Sequence, residues 1–201
     1  MDHALAIHEG SSTWEMCFPL QKQRLRDAER SLEAVETLDP VTGLWSPRSL
    51  KERLGFEGAR YSRYRTPVSL VVLDVDDFGH VNDTCGERVG NHVLRALGER
   101  IASLLRSTDM LARYDGDRFA VLLPGIGKTA AFAVSEKLRD AVRADSVHVE
   151  ADGYTHEVSL TLSAGVTSAS PSREGCMALL ESAETAHITV MAAGKDQVTR
   201  Q

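Results

Sequence analysis

The sequence has little of what secreted, membrane-spanning or nucleic-acid-binding proteins need. Its three cysteines, Cys17, Cys85 and Cys176, are far apart and odd in number, so they suggest neither a disulfide framework nor a metal knuckle. No apolar run approaches the roughly 18 residues of a membrane span. The first residues, MDHALAIHEG, lack the basic and apolar regions of a secretory signal. We therefore expect a cytoplasmic chain in a reducing compartment, without a membrane segment.

Basic charge is also scarce. The 23 Lys and Arg residues are outnumbered by 29 Asp and Glu residues, which leaves a net charge of −6. Such a chain is poorly suited to non-specific binding of nucleic acid or of an anionic membrane surface, because both require a positive surface. A few locally placed Arg residues would still be enough to bind one phosphate-bearing ligand.

What is present describes an ordinary globular chain. A length of 201 residues corresponds to one domain of about 150 residues plus an extension. Apolar residues three or four apart between Leu25 and Leu38 predict an amphipathic helix, which Asp39-Pro40 would end. That stripe suits a short dimerising coiled coil and a helix packed on its own domain equally well. We divide the chain into an N-terminal tail and signalling or coiled-coil helix, 1–38, and a domain, 39–201.

The rest of the pattern alternates helices and strands. Val68–Val75 is a continuous apolar run typical of a buried central strand, and Met110–Gly125 has two strand-like arms around an Asp-Gly turn, typical of a hairpin. The alternation in Val158–Ala169 predicts a half-buried strand. Helical periodicity predicts helices that begin near Pro47 and end before Thr66, and that span about Glu87–Arg106, Thr129–Arg143 and Met177–Ala193. The predicted fold class is α/β, with a mixed central β-sheet flanked by helices and preceded by the N-terminal helix.

Carboxylates gather at two places in this pattern. Asp74, Asp76 and Asp77 end the central strand, and Asp115 and Asp117 lie in the hairpin turn. Converging carboxylates can hold the Mg²⁺ ions that phosphoryl transfer uses. Taken alone, acids at strand ends are more often turn formers or helix caps.

Several ordered motifs resemble the GGDEF domain of diguanylate cyclases, over about residues 39–198. These are DPVTGL (39–44), LDVDDFGHVND (73–83), RSTDMLARYDGDRFAVLLPG (106–125), SAGV (163–166) and AETAHITVMAAGKD (183–196). The resemblance implies the palm-like fold of nucleotidyl cyclases and the condensation of two GTP molecules into cyclic di-GMP across a dimer. It also implies that Asp74 and Asp117 bind Mg²⁺, that Asp117 activates the attacking hydroxyl, and that Asn82 meets the guanine edge.

The sequence departs from that family's pattern in its signature and its basic contacts. The signature reads DGDRF, so Asp115 replaces the first glycine, ahead of Gly116, and Arg118 replaces a metal-side carboxylate. Gly79 and Met191 stand where the family has phosphate-contacting lysines, and Asn91 stands where it has an aspartate. Lys195 keeps a basic position beside Gly194. Because each lost electrostatic contact can cost about 10²- to 10³-fold in rate, these changes together argue against a working cyclase.

A second nucleotide motif is complete. Arg106 and Asp109 match the RxxD motif at which GGDEF domains bind cyclic di-GMP as an inhibitor, and Lys137 matches a basic position that serves as a second contact there. Arginine can fork onto guanine or phosphate, and aspartate can accept from the guanine N–H groups. The pattern is loose, since Arg24 and Asp27 match it too, and Asp109 would also serve simply to cap a loop.

We therefore interpret the chain as a catalytically inactive, degenerate GGDEF domain that acts as a cyclic di-GMP receptor in bacterial second-messenger signalling. We expect it to form a homodimer or to bind a protein partner. Its vestigial substrate pocket would then comprise Asn82, Asn91, Asp115, Gly116, Arg118 and Lys195, with Asp117 as a vestigial catalytic residue. One alternative is an active diguanylate cyclase, which would need GTP and Mg²⁺. The other is a dimerisation or docking module that uses no nucleotide.

Overall fold

A computed structural model describes residues 37–151, 153–169, 179, 181–182, 185 and 195–200. Residues 37–201 make up one compact unit, and residues 1–36 fall outside it. The predicted N-terminal helix and position Met191 lie outside the described residues, as does most of the predicted last helix. The described members of that last segment, Leu179, Glu181, Ser182 and Thr185, are helical. Among the residues described, no helix combines the length and apolarity that crossing a membrane requires.

The centre of the domain is a five-stranded sheet. Its strands are β1 (Val68–Val75), β2 (Met110–Asp115), β3 (Arg118–Pro124), β6 (Leu162–Ser168) and β7 (Val198–Arg200), in the spatial order β2-β3-β1-β6-β7. Strand β7 pairs with β6 in parallel, and the other neighbours are antiparallel. The sheet is therefore mixed, as predicted. Strands β4 (Val147–Ala151) and β5 (Tyr154–Val158) form a separate two-stranded hairpin.

Helices cover both faces of this sheet. They are α1 (Pro47–Tyr64), α2 (Phe78–Cys85), α3 (Glu87–Ser103) and α4 (Lys128–Ala144). Alternate residues of β1 point to opposite sides: Val71 and Leu73 pack with α2, α3 and α4, whereas Leu70 and Val72 pack with α1 and Leu179. This double coverage explains why β1 is a continuous apolar run, because neither face is left for polar residues.

The ends of α1 follow from local chemistry. Ser46 caps the helix, since its Oγ accepts the N–H of Ser49 at 3.2 Å, and Pro47 occupies the first helical position. The helix stops at Arg65, which has a left-handed backbone with φ of 55°. A proline two residues further, Pro67, could not continue a helix, and β1 begins directly after it.

Two predictions need correction. Val158–Ala169 was expected to be one half-buried strand, but it contains the end of β5, a break at 159–161 and then β6, which is buried on both faces except at Ser168. The polar residues of the alternation differ in burial: Ser159 is exposed, whereas Ser163 is fully buried and hydrogen-bonded. The helix predicted to reach Arg106 ends at Ser103. The pattern did not predict α2 or β4.

Candidate functional site: two turns at the ends of strand β2

The signature turn joins β2 to β3. Gly116 takes a φ of 50°, a conformation that glycine adopts readily, and the flanking residues Asp115 and Arg118 lie directly opposite each other. Arg118 is also directly opposite Asp74 of β1. Directly opposite residues of antiparallel strands share one face of the sheet. The register therefore brings the predicted metal carboxylate Asp74 next to the cation Arg118.

Arg118 is engaged within its own turn. Its Nη2 lies 2.6 Å from Oδ2 of Asp115, and its guanidinium carbon lies 5.3 Å from the centre of the Tyr114 ring. Burial alone would lower the pKa of Arg118, but the hydrogen bond and charge of Asp115 outweigh it, and the pKa lies above its ordinary value. The cation of the signature turn thus pairs with the acid three residues before it.

Asp117 and Asp74 form the possible metal-binding pair. Burial, and then the negative charge of Asp74, raise the pKa of Asp117. A carboxylate whose ionisation is opposed by a neighbouring carboxylate is favoured by a bound cation, and Mg²⁺ commonly takes one or two carboxylates with water and substrate phosphates. Within the described residues no three His, Cys, Asp or Glu side chains are grouped to hold a metal ion. The residues present therefore fit one Mg²⁺ carried in with a nucleotide, and they do not supply a complete protein cage.

Asp76, the second acid of the strand end, has a structural role. Its side chain is almost fully buried and accepts three hydrogen bonds, from Oγ1 of Thr161 at 2.6 Å, from Oγ of Ser163 at 2.7 Å and from the N–H of Asp196 at 3.0 Å. A buried carboxylate is tolerated where donors surround it in this way. Asp76 therefore fastens the segment before β7 to the end of β1 and is not directed to a ligand.

Lys195, the basic position that the family pattern retains, binds the third acid. Its Nζ donates to Oδ1 of Asp77, and this hydrogen bond raises the pKa of Lys195. Asp77 stands at the start of α2 with a left-handed backbone, φ 56°. In this arrangement the amine of the retained lysine is engaged by a protein carboxylate.

A cleft of about 310 Å³ brings three of the predicted pocket residues together with the predicted catalytic residue Asp117. Its lining includes Asn82, Asn91, Gly116 and Asp117, together with Gly79 and Arg113. Asp74, Asp115, Arg118 and Lys195 do not line it. Asn82 fits because Gly90 has no side chain: a Cβ there would lie 1.9 Å from Oδ1 of Asn82. At Gly79, by contrast, a Cβ would meet no atom within 4 Å.

Arg113 lines the cleft and was not predicted from the sequence. Its Nε donates to the carbonyl of Gly116 at 2.8 Å, and its Nη1 lies 3.2 Å from Oδ1 of Asp39. Burial would raise the pKa of Asp39, but hydrogen bonds from Thr42 and Arg113 outweigh it, and the pKa is lowered. Arg113 thereby links the turn that opens the domain to the signature turn. The Asp39-x-x-Thr42 spacing was a visible turn signal, but nothing local pointed to residue 113.

The RxxD turn lies between α3 and β2, at the other end of β2. Oδ2 of Asp109 accepts the N–H of Arg106 at 2.9 Å, and the carbonyl of Arg106 accepts the N–H of Asp109 at 3.0 Å. The loop-capping role considered for Asp109 is therefore present. The Arg106 side chain is exposed and has no hydrogen bond or ion pair to another side chain within the described part of the chain.

Two clefts meet at this turn. One of about 310 Å³ is lined by residues that include Arg106, Asp109 and Trp45, and another of about 660 Å³ is lined by residues that include Asp109, Ser107, Thr108 and Trp45. Lys137 is exposed on α4 and lines neither cleft. The structure thus places Arg106 and Asp109 together, and it does not bring Lys137 to them.

Comparison with known proteins agrees with this architecture. The family model described as "Diguanylate cyclase, GGDEF domain" matches residues 36–197. The chain is 36% identical over 160 residues to the diguanylate cyclase DgcP of Pseudomonas aeruginosa, covering 80% of this chain and 23% of DgcP. It is 30% identical over 189 residues to the response regulator PleD of Caulobacter vibrioides, covering 89% of this chain and 40% of PleD. The chain thus spans less than half the length of these curated relatives.

Solved structures show the same likeness. The diguanylate cyclase SiaD, in complex with its activator SiaC from Pseudomonas aeruginosa, matches with a TM-score of 0.76 and 32% identity, over 94% of this chain and 71% of SiaD. The coiled coil and GGDEF domain of DgcB from Caulobacter crescentus, in complex with c-di-GMP, matches with a TM-score of 0.79 over 96% of this chain and all of that one, at 23% identity, which speaks for the fold alone. The matched sequence range and the mixed sheet flanked by helices lead to one conclusion: this chain belongs to the GGDEF-domain family of diguanylate cyclases.

Proposed function

We propose that this GGDEF domain is catalytically inactive and serves as a receptor for cyclic di-GMP, which binds at the RxxD turn of Arg106 and Asp109. One observation carries the proposal. The described basic residues of the substrate end are paired with protein carboxylates, whereas Arg106 is exposed, lines a cleft of about 310 Å³ and has no ion pair within the described part of the chain. An anionic guanine nucleotide would therefore meet an arginine without an ion pair at the RxxD turn, but only paired cations at the signature turn.

The substrate end is poorly equipped for a triphosphate. A nucleotide would have to draw Arg118 from Asp115 and Lys195 from Asp77 before either cation met a phosphate, and Gly79 offers no side chain. Preorganised charge is what lowers the barrier of phosphoryl transfer, and removing one such donor costs about 10²- to 10³-fold in rate. Asp117, whose pKa is raised by burial and by Asp74, would serve as a vestigial catalytic group.

The RxxD turn offers complementary chemistry. The Arg106 guanidinium has a planar fork that suits guanine O6 and N7 or two phosphate oxygens. Oδ2 of Asp109 is used by the turn, and Oδ1 has only a long contact, 3.4 Å, with Thr108. Oδ1 is therefore available to accept from the N1–H or N2–H of a guanine. Lys137, on α4, would contact the ligand only if the ligand extended beyond the two clefts. A second stacked cyclic di-GMP, or one shared by the two chains of a homodimer, would extend in this way.

The proposal is tested by titrating the protein with cyclic di-GMP in a calorimeter and incubating it separately with GTP and Mg²⁺. We expect binding tighter than 100 μM, which corresponds to about −5.5 kcal/mol, and no cyclic di-GMP formed on chromatography. No heat from a folded sample would contradict the receptor role. If cyclic di-GMP does bind, the helix predicted between Leu25 and Leu38 would carry the bound state to a partner.

An active cyclase is the second candidate, and one observation favours it. Asn82, Asn91, Gly116 and Asp117 still share one cleft, with Asp74 close enough to raise the pKa of Asp117. In that case Asp74 and Asp117 would hold Mg²⁺ and GTP would turn over. Turnover that disappears in Asp117→Asn would establish this candidate in place of the inactive receptor.

A further inference from the structure

We propose that the 660 Å³ cleft beside the RxxD turn is a purine subsite, in which the indole of Trp45 stacks on a guanine base of the bound cyclic di-GMP, an inference that rests on the proposed function. The cleft has two exposed aromatic residues in its lining, Trp45, which is 44% exposed, and Phe56, which is 57% exposed. Its volume lies in the usual range of small-ligand sites, about 300–1,000 Å³.

Trp45 occupies the junction of the two clefts. It lines the large cleft together with Asp109 and also the smaller one, where Arg106 and Asp109 both contribute. A base held by Arg106 or Asp109 would therefore lie within reach of the indole face. Large exposed aromatic side chains that border polar groups commonly mark binding sites, because water solvates their faces poorly.

The position of Trp45 is fixed by the backbone. Its N–H donates to the carbonyl of Leu111 at 3.4 Å, and its carbonyl accepts the N–H of Arg113 at 3.0 Å, so the residue is added to the edge of β2. Arg113 is itself tied to Asp39. An aromatic ring mounted on a fixed backbone loses little conformational entropy when a ligand covers it.

The remaining lining suits a nucleotide base better than an apolar peptide. Ser107 and Thr108 bring hydroxyl groups, and Asp109 brings an acceptor. On α1, the Arg53 guanidinium lies 5.3 Å from the centre of the Phe56 ring and also pairs with Glu57 at 2.9 Å. Flat aromatic faces, one stacked guanidinium and several hydrogen-bonding groups are the combination that proteins use to bind bases by stacking.

The inference is tested by cyclic di-GMP titrations of Trp45→Ala, Trp45→Phe and Phe56→Ala. Because stacking on an aromatic residue typically accounts for about a 5- to 100-fold difference in affinity, we expect Trp45→Ala to weaken binding by about that factor and Phe56→Ala to weaken it at least about threefold. Trp45→Phe should stay within about threefold of the wild type, since it keeps an aromatic face. Tyr154→Ala is the matched control, because Tyr154 is 73% exposed on the β5 hairpin and lines neither cleft.

A spectroscopic readout separates stacking from a purely structural effect. The chain has two tryptophans, Trp14 and Trp45, so in Trp14→Phe the fluorescence reports on Trp45 alone. We expect saturable quenching by cyclic di-GMP with the calorimetric Kd. Wild-type affinity in Trp45→Ala, or no quenching while heat is released, would overturn this inference and leave the proposed function standing. No heat from the wild-type protein would overturn both. Quenching of the Trp45 fluorescence by an unrelated apolar peptide, but not by cyclic di-GMP, would also overturn the inference and would identify a peptide groove instead.

Discussion

The two ends of β2 use the same pair of residue types in opposite ways. Before the strand, Arg106 and Asp109 are three residues apart, and the carboxylate accepts a backbone N–H, which leaves the guanidinium exposed. After the strand, Asp115 and Arg118 are three residues apart in reverse order, and the carboxylate binds the guanidinium itself at 2.6 Å. Of these two arginines, only Arg106 has a guanidinium without a carboxylate partner within the described part of the chain.

Backbone geometry causes the difference. Residues 115 and 118 face each other across a hairpin, so their side chains share one face of the sheet and meet. Residues 106–109 form a single turn whose backbone brings the N–H of Arg106 to the carboxylate of Asp109. Local side-chain-to-backbone bonds of this kind are characteristic of aspartate in turns.

The largest expected effect comes from removing each arginine in turn. Arg106→Ala should weaken cyclic di-GMP binding by about 100-fold or more, because a charge-assisted, forked contact is lost. Arg118→Ala is the matched variant and should change the affinity by less than about twofold, since Arg118 is already engaged by Asp115. Calorimetry on both proteins measures the difference. Equal losses in the two variants would mean that the turns are not distinct in the way described.

The next effect would come from making the signature turn resemble a substrate site. Gly79→Lys combined with Arg118→Glu should strengthen GTP binding in the presence of Mg²⁺ about tenfold or more, because a cation is added to the cleft and a carboxylate to the metal side. A Cβ at position 79 would meet no atom within 4 Å. Gly55→Lys combined with Arg118→Glu is the control, since Gly55 on α1 is equally open but does not line the cleft. Equilibrium dialysis with GTP gives the affinities, and equal gains in both would contradict a site-specific effect.

A smaller effect is expected from cutting the link between the domain entrance and the signature turn. Asp39→Asn should lower the free energy of unfolding by about 1–2 kcal/mol at pH 7, because the carboxylate accepts from both Thr42 and Arg113. The folded-state pKa of Asp39 lies below the unfolded value of 3.8. Its contribution is therefore complete above pH 3.8 and is lost as the pH falls through the folded pKa.

Urea unfolding of the wild type and Asp39→Asn at pH 7 and at progressively lower pH checks this sign. The two curves should approach each other in acid. A difference that stays constant, or grows, as the pH falls would show that the carboxylate charge does not provide the stabilisation.

The smallest effect is expected at Asp117, and it has the opposite sign. Burial and Asp74 raise the folded pKa of Asp117 above 3.8, so ionisation costs stability as the pH rises through that range. Asp117→Asn should therefore stabilise the fold at pH 7 by less than about 1 kcal/mol and have no such benefit below pH 3.8. Thermal melting at the two pH values measures it. The same variant should bind cyclic di-GMP with wild-type affinity, which would show that the signature turn does not contribute to binding at the RxxD turn.

Much of the fold was predictable because it depends on local pattern. The bounds of β1 were correct, since a proline and a group of acids delimit an apolar run. The burial of both faces of β6 was not predictable, because its buried Ser163 donates a hydrogen bond to Asp76, which is 87 residues away in the sequence. Alternating polar residues look the same whether water or a buried partner satisfies them.

The sequence predicted which residues line the cleft better than it predicted which charged side chains pair with one another. Asn82, Asn91, Gly116 and Asp117 meet in one cleft as expected. The pairing of Arg118 with Asp115 depends on the hairpin register, that of Lys195 with Asp77 spans 118 residues, and the bridge from Arg113 to Asp39 spans 74 residues. Contacts of that separation are set by tertiary packing, which single-sequence patterns do not record.

The burial of Asp76 also has a consequence for the order in which the domain can be completed. Asp76 is synthesised 120 residues before the N–H of Asp196 that it accepts, which at about 5–20 residues per second is an interval of about 6–24 s. Until then the carboxylate at the end of the central strand lacks one of its three donors, and β6 lacks its parallel neighbour β7. The growing chain can therefore form the hairpin of β2 and β3 early, but it closes the sheet around Asp76 only when its last segment arrives.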